Sequence, residues 1–359
     1  MKQVLVGIES MTLRTLVDIG HPAHVHMLKH VIWRIEECGG KVCITTRRKD
    51  VAINLLDAYG FRYIIIDQYS SLADKAMSLA RTTNRLLKVA YDFNPHSFLS
   101  CGSVHAALAA RILNRLCMTF VDTEGSRAQG SIVYTCSSVL YTPDVFRRKM
   151  GKKQIRYNGY HEMAYLAPKY FTPDPTVLSK YDLKKEDIFF IVRVVSWKAT
   201  HDWGQKGIAD LSSLVQYLQK YGKVVLSMET DLKPELEDCT LRISPEDMHS
   251  VLAYARAYVG EGATMASESA SLGTPSIYLN SQVAGTIDAE SSAGLLYHII
   301  PSNHMEDQIR MAVDKIISTP PEQFRERSRK FVSNKIDVIE FIFRELMNQV
   351  RKRYQSKEN

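Results

Sequence analysis

The sequence predicts an α/β protein made of two Rossmann-like domains, each built around a parallel sheet. Strand-sized apolar segments alternate with amphipathic helical ones in two separate series, the pattern that yields parallel βαβ units. Residues 188–195 form a nearly continuous apolar run broken only by Arg193, as expected of a strand covered on both faces. Between the two series, residues 168–175, PKYFTPDP, gather three prolines with no periodicity, which marks a boundary. The chain of 359 residues also exceeds one typical core and suits two domains of roughly 150 to 180 residues. The expected division is 1–167, a linker at 168–187, a second domain at 188–330, and a C-terminal helical segment at 331–359.

The first series opens after a short apolar stretch at 4–8, which reads either as an edge strand or as an extension upstream of a start at Met11. A strand at 13–19 then runs into Gly20-His21-Pro22-Ala23-His24. A helix follows with apolar Val25, Leu28, Ile32 and Ile35, ending at Gly39-Gly40 before a strand at 41–45. The turn after the first strand lies at the carboxyl end of the sheet, where such folds expose ligand-binding groups. His21, His24 and His26 crowd there. Their spacing across a proline turn, with no acid or thiol beside them, favours a general-base or phosphate-contacting role over zinc.

The rhythm continues with a helix at 51–59, a strand at 62–67, helical residues at 71–91, a strand at 97–102, a helix at 104–113 and a strand at 118–121. Asp122-Thr123-Glu124 follows directly. Its two carboxylates read as a base with a positioning group, or as caps for the next helix. Residues 146–156, FRRKMGKKQIR, read as a basic segment between a helix and a strand: a solvated face, or at most a peripheral contact with anionic lipid.

In the second series the strand at 188–195 opens into the polar loop SWKATHDW and a helix at 207–221. Arg193, Lys198 and His201 are candidate phosphate contacts, while Trp197 and Trp203 serve to pack that loop. Strands are expected at 223–228, 241–243 and 257–260. A helix at 246–257 is expected to be capped by Ser244, with Pro245 at its first position. Residues 324–352 read as one long helical pattern.

The stretch VGEGATMASESASLGTPSIYLN at 259–280 organises this half. It reads as a strand end, a glycine turn, a helix of small residues and a second strand opened by Gly273 and Pro275. A helix start after such a turn offers unpaired N–H groups and partial positive charge to a phosphate. Gly262 allows close approach and Thr264 adds a hydroxyl. One turn in, Glu268 is within reach of a following sugar and is not expected to support the core. The plainer reading is an ordinary strand, turn and helix with Glu268 solvated.

Composition narrows the function classes. Hydrophobic content of 45% and charge of 24% are ordinary for a globular protein. A net charge of +7 favours anionic ligands without calling for nucleic acid. Cys38, Cys43, Cys101, Cys117, Cys136 and Cys239 lie far apart with no CxxC pair, which fits reduced thiols and speaks against a structural zinc site. No apolar run approaches the roughly 20 residues that span a bilayer. A cytoplasmic protein without cofactor or bound metal is expected.

Two segments carry a resemblance. GATMASESASLGTP resembles the donor-nucleotide motif of GT-B proteins, and GHPAHVHMLKH resembles their first loop, although the family's run of glycines is missing there. Both are similar to the lipid-linked N-acetylglucosaminyltransferase of peptidoglycan synthesis and to UDP-N-acetylglucosamine 2-epimerase. Over most of its length the chain looks like an uncharacterised, largely archaeal prokaryotic family allied to them. The resemblance implies a GT-B fold: two Rossmann-like domains with a cleft between them and a last helix that crosses back to the N-terminal domain. It also implies a metal-independent glycosyltransferase using a UDP-sugar such as UDP-GlcNAc, with a glycan or lipid-linked acceptor. Gly262, Ala263, Thr264, Met265 and Glu268 would then hold the donor. Arg193, Lys198 and His201 would neutralise the diphosphate, and His24 with Asp122 or Glu124 would activate the acceptor. An isomerase like the 2-epimerase, for which Asp122, Glu124 and Glu162 are the available carboxylates, and a non-catalytic nucleotide-sugar-binding protein are the alternatives.

Overall fold

A computed structural model describes residues 12–48, 50–66, 75–124, 127–194, 211–228 and 234–355. The apolar stretch at 4–8 and the loop carrying Trp197, Lys198, His201 and Trp203 lie outside the described residues. The chain divides into two compact units, one comprising the residues up to Tyr165 together with those from Ile336 onward, the other Leu166–Lys335.

The first unit holds seven parallel strands: β1 (Arg14–Ile19), β2 (Lys41–Thr46), β3 (Tyr63–Ile65), β4 (Ser97–Cys101), β5 (Leu116–Phe120), β6 (Val139–Pro143) and β7 (Gln154–Tyr157). Their order across the sheet is β3-β2-β1-β4-β5-β6-β7. The second unit holds five parallel strands: β8 (Phe189–Val194), β9 (Lys223–Met228), β10 (Ala257–Gly260), β11 (Ser276–Leu279) and β12 (Leu296–Ile299), in the order β12-β11-β10-β8-β9. The direction of winding reverses between β1 and β4 in one sheet and between β8 and β10 in the other. Those reversals leave a crevice at the strands' carboxyl ends, where ligands bind in open α/β sheets.

Helices form where apolar residues recur at helical spacing and a cap closes the start. Pro22–Glu37 begins with Pro22 at its first turn and with the His21 ring as cap, Nδ1 accepting from the Ala23 N–H at 3.2 Å. It buries Val25, Met27, Leu28, Val31, Ile32 and Ile35. In the second unit Phe190, Val192, Val259, Ile277 and Phe324 form one side of the core, while Phe189, Ile191, Tyr258 and Ala266 form the other.

Several elements depart from the sequence expectation. A helix at Arg127–Cys136 and strand β6 precede the basic segment, which therefore follows a strand and runs into β7. Residues 241–243 form no strand, and only a single bridge joins Leu226 to Thr240. The helix expected from 246 starts at Met248. Its cap position falls to Asp247 without a side-chain bond, and the Ser244 N–H donates instead to the Tyr181 hydroxyl at 3.0 Å. The long pattern at 324–352 is two helices, Pro321–Ser333 in the second unit and Val338–Gln355 in the first. The break is set by Asp337, whose Oδ1 accepts from the Glu340 N–H at 3.0 Å and starts the second helix afresh. Val338–Gln355 packs on Pro22–Glu37 and β5. Phe341 stacks on Tyr157 at 5.2 Å, and the Tyr141 hydroxyl donates to Glu345 at 2.9 Å.

Candidate functional site

At the carboxyl edge of the second unit's sheet, β10 ends in Gly260, paired with Arg193 on β8. Here only glycine fits, because a Cβ would lie 2.6 Å from both the Arg193 carbonyl oxygen and the Tyr258 hydroxyl. Arg193 Nη1 donates to Ser227 Oγ of β9 at 2.9 Å, which fixes a cation across the strand ends. Asn280, just past β11, donates Nδ2–H to the Glu261 carbonyl at 3.0 Å, so the turn after β10 is framed from the next strand.

From that turn rises the helix Ala263–Leu272. Gly262 stands at its cap with no side-chain hydrogen bond, and no acidic residue lies in the first turn. The backbone donors of this helix start and its partial positive charge therefore meet neither a side-chain cap nor a first-turn acid. Gly262 has a φ of −89°, which any residue adopts, so no special backbone conformation calls for glycine there. Ala263 and Met265 pack their side chains against the core below. The far end closes at Gly273, whose φ of +81° is left-handed.

The small residues of this helix let it sit among neighbours on all sides. Ser267 Oγ donates to Glu290 at 2.8 Å, Ser269 Oγ to the Thr274 carbonyl at 2.8 Å, and Ser328 Oγ of the helix Pro321–Ser333 to the Ser271 carbonyl at 2.6 Å. Glu268 is accordingly buried, with 4% of its surface exposed, and His249 Nε2 lies 3.1 Å from its Oε1. The solvated Glu268 of the plainer sequence reading is not what forms. Phe171 closes over the His249 ring edge-on at 6.0 Å.

The carboxyl edge of the first unit is built from paired charges. Asp18, the penultimate residue of β1, is fully buried and takes a two-pronged contact from Arg47 as well as hydrogen bonds from Thr45 and Ser103. Burial pushes the Asp18 carboxyl up, but Arg47 and these donors outweigh it and hold the group below 3.8. Arg47 is thereby committed to its partner.

Beside this network the three histidines diverge. His21 caps a helix, as above. His24 Nδ1 accepts the Gly20 N–H at 3.3 Å, which assigns the proton to Nε2, and burial together with His21 pushes the imidazole down to about 3. His26 is buried, stacked on Tyr165 at 5.3 Å and bonded through Nδ1 to the Tyr59 hydroxyl at 3.2 Å. Among the described residues no group of three or more His, Cys, Asp or Glu is placed to hold a metal ion.

Asp122, leaving β5, meets a residue that the sequence reading left without a role. His161 Nδ1 lies 2.9 Å from Asp122 Oδ2, and Thr123 Oγ1 donates to Oδ1 at 2.9 Å. The stretch from Gly159 to Leu166, coming off β7, is buried throughout, which fixes His161 against Phe120 with ring centroids 6.5 Å apart. Burial lowers the His161 pKa, but Asp122 and then Glu162 outweigh it and raise it above 6.5. Burial raises that of Asp122, and His161 outweighs it, holding the carboxyl well below the usual range. The Glu124 carboxylate is engaged elsewhere, its Oε1 accepting the Arg147 N–H at 2.6 Å. Much of the basic segment is likewise structural. Lys153 Nζ caps the end of Arg127–Cys136 through the carbonyls of Tyr134, Thr135 and Ser137, and Arg156 holds the carbonyls of Asp144 and Arg148.

No described helix is long and apolar enough to cross a membrane. Known structures share this fold at low identity. The UDP-GlcNAc 2-epimerase of Neisseria meningitidis, solved with UDP-GlcNAc, superposes with a TM-score of 0.65 at 14% identity, covering 88% of this chain and 94% of that one. The spinosyn forosaminyltransferase SpnP superposes with a TM-score of 0.63 at 12% identity, covering 95% of this chain and all of that one (100%). The fold is therefore of the GT-B type, common to glycosyltransferases and UDP-GlcNAc 2-epimerases. In sequence, the uncharacterized protein MJ0665 of Methanocaldococcus jannaschii is 23% identical over 275 residues, 73% of this chain and 80% of that protein. Residues 13–350 match the family described as "Protein of unknown function (DUF354)", and the chain belongs to that family.

Proposed function

We propose that the protein is a glycosyltransferase that takes a UDP-sugar, with UDP-GlcNAc the first donor to try. The observation that carries this reading is one helix with two features: an uncapped start at Gly262 and a buried carboxylate, Glu268, steadied by His249. The backbone N–H groups of Ala263, Thr264 and Met265, with the Thr264 hydroxyl, take the diphosphate, and Glu268 accepts from the ribose hydroxyls. Arg193, together with Lys198 and His201 from outside the described residues, neutralises charge on the departing UDP. The first unit supplies the groups that handle the acceptor, a glycan or a lipid-linked sugar.

Titration calorimetry with UDP tests the donor assignment. Glu268→Gln should weaken UDP by about 1.5 to 3 kcal/mol, roughly tenfold to a hundredfold, the scale of a hydrogen bond to a charged group. Inorganic pyrophosphate should bind the variant as it binds the parent. Unchanged UDP affinity would remove the nucleotide assignment. Incubation with UDP-GlcNAc alone separates transfer from isomerisation: a transferase releases a trace of UDP by hydrolysis, whereas formation of ManNAc or UDP-ManNAc would promote the epimerase reading.

A further inference from the structure

We propose that the amino edge of the first unit's sheet carries an anion site in which Arg14 and Arg115 hold a phosphate group, whether free in solution or on a lipid headgroup. It lies at the end of the strands opposite to the groups described above, and it does not rest on the glycosyl-transfer reading.

The site is built where three neighbouring strands begin. Arg14 opens β1, His96 directly precedes β4 and Arg115 directly precedes β5, and these strands lie side by side in the order β1-β4-β5. Two helices end beside them, Lys75–Phe93 and Val104–Ile112. Asn94 and Asn114, in the left-handed region with φ of 51° and 49°, turn the chain after each. The arginines converge on these ends. Arg14 Nη2 donates to the Phe93 carbonyl, and its guanidinium lies over the Phe93 ring, 4.8 Å from the centroid. Arg115 Nη2 donates to Asn94 Oδ1 at 2.7 Å, one residue further on. Arg353 Nη2 donates to the carbonyl and the side-chain oxygen of Asn114 at 2.8 and 2.7 Å, next to Arg115. His96 ties the group together: its Nδ1 accepts the Arg14 N–H at 3.0 Å, and the Tyr354 hydroxyl donates to its carbonyl at 2.8 Å.

Charge shows what this edge lacks. Each helix end carries about half a negative charge, so the two ends together offset about one of the two full charges on Arg14 and Arg115. Asp92 and Arg111, exposed on the last turns of the two helices, offset each other. Among the described residues no carboxylate forms an ion pair with Arg14 or Arg115. Arg14 Nε is moreover buried with no hydrogen-bond partner there. Both side chains are half-buried, which shields their charge in part and still leaves them open to a ligand from solvent. Two forked donors anchored on consecutive residues suit the several oxygens of a doubly charged tetrahedral anion.

His96 gives a local readout of occupancy. Burial, then Arg115 and Arg14, hold its pKa below 6.5, and the remaining group at its ring is Tyr354, edge-on at 5.4 Å. An anion seated on the two arginines opposes their effect and favours the protonated ring. Nitrogen-15 NMR of the histidines in the full chain tests this with sulfate, whose charge does not change near neutral pH. The His96 midpoint should rise by about one unit when sulfate is added, the scale of one neighbouring charge. Calorimetry with inorganic phosphate, run after saturation with UDP, should show binding weakened about tenfold or more in Arg14→Gln and in Arg115→Gln, which keeps the Phe93 contact. UDP affinity should stay at the parental value in both. Sedimentation with phosphatidylglycerol vesicles, against phosphatidylcholine alone, separates the sources. Capture on the anionic vesicles that both variants lose supports the headgroup, and phosphate binding without capture supports a soluble phosphate. A His96 midpoint indifferent to sulfate, or phosphate affinity equal in the parent and Arg115→Gln, would overturn the proposal. If UDP does not bind while sulfate shifts His96, the donor reading fails and this site stands.

Discussion

The carboxyl edges of the two sheets occupy the same topological place and are furnished differently. In the first unit, charged side chains are bound to one another: Asp18 with Arg47, Asp122 with His161. In the second, one buried pair, His249 with Glu268, stands beside groups directed at backbone and hydroxyls: the uncapped helix start and Arg193 with Ser227. The first arrangement pairs charges with one another, and the second combines one buried pair with a helix start that has no side-chain cap. The same topological place is thus furnished in two ways, which is why the site and not the fold must carry the functional argument.

The largest effect that separates the edges should come from Arg47→Met. The substitution leaves Asp18 charged, fully buried and without its counter-ion, and loss of one partner of such a pair costs about 3 to 5 kcal/mol. Urea unfolding should show that loss near neutral pH. It should shrink as pH falls below 3.8, because the folded-state pKa of Asp18 is depressed, so its contribution is whole above the unfolded value and is lost as pH falls toward the folded one. A loss that does not vary with acid would mean that Asp18 is not the group left stranded.

A smaller change should follow from Glu268→Ala in the second unit. It removes the acceptor at His249 Nε2 inside a buried helix contact and should cost about 1 to 3 kcal/mol of stability, whereas Glu268→Gln keeps an acceptor and should cost less. Equal midpoints for the two variants would show that the His249 contact does not support the core.

The smallest effect lies in the pH profile of the first unit. The folded-state pKa of His161 is raised, so its stabilisation is whole below 6.5 and fades as pH rises through the folded value. That of Asp122 is lowered, so its stabilisation is whole above 3.8 and fades as pH falls. Both hold between 3.8 and 6.5. With 36% of the Asp122 side chain exposed, solvent screens the pair, and the excess over Asp122→Asn in that window should be about 1 kcal/mol or less. A flat difference across pH would leave the dyad without an energetic role.

What was legible in the sequence follows from how local each signal is. Gly262 and Gly273 punctuate the ends of their helix, so Ala263–Leu272 is readable from composition alone. Asp122 is readable as an acid directly after a strand. His161 is not, because its meaning comes from Asp122, which leaves a strand two places away in the sheet and stands well apart in the chain, and Tyr160-His161-Glu162 carries no motif of its own. The burial of Glu268 escaped for a related reason: small serines and alanines look like a solvated helix until their hydroxyls are seen bonded to neighbours on several sides. The break near 334–337 did leave a trace in Asp337 and Glu340, the spacing of a capping signal, which the apolar period of the flanking helices obscured. Thr45 and Ser103, which secure Asp18, are ordinary residues in sequence and acquire purpose only through strand order.

The discontinuous first unit has a consequence for biosynthesis. Val338–Gln355 supplies Ile342, Leu346 and Val350, all buried, to a unit whose other residues precede Leu166. On the ribosome every strand of the first sheet therefore emerges long before the helix that covers it, while the second unit, one uninterrupted segment, has all of its residues available sooner. The domain begun first is finished last. Until the final helix arrives, its apolar face is open to chaperones and to other nascent chains.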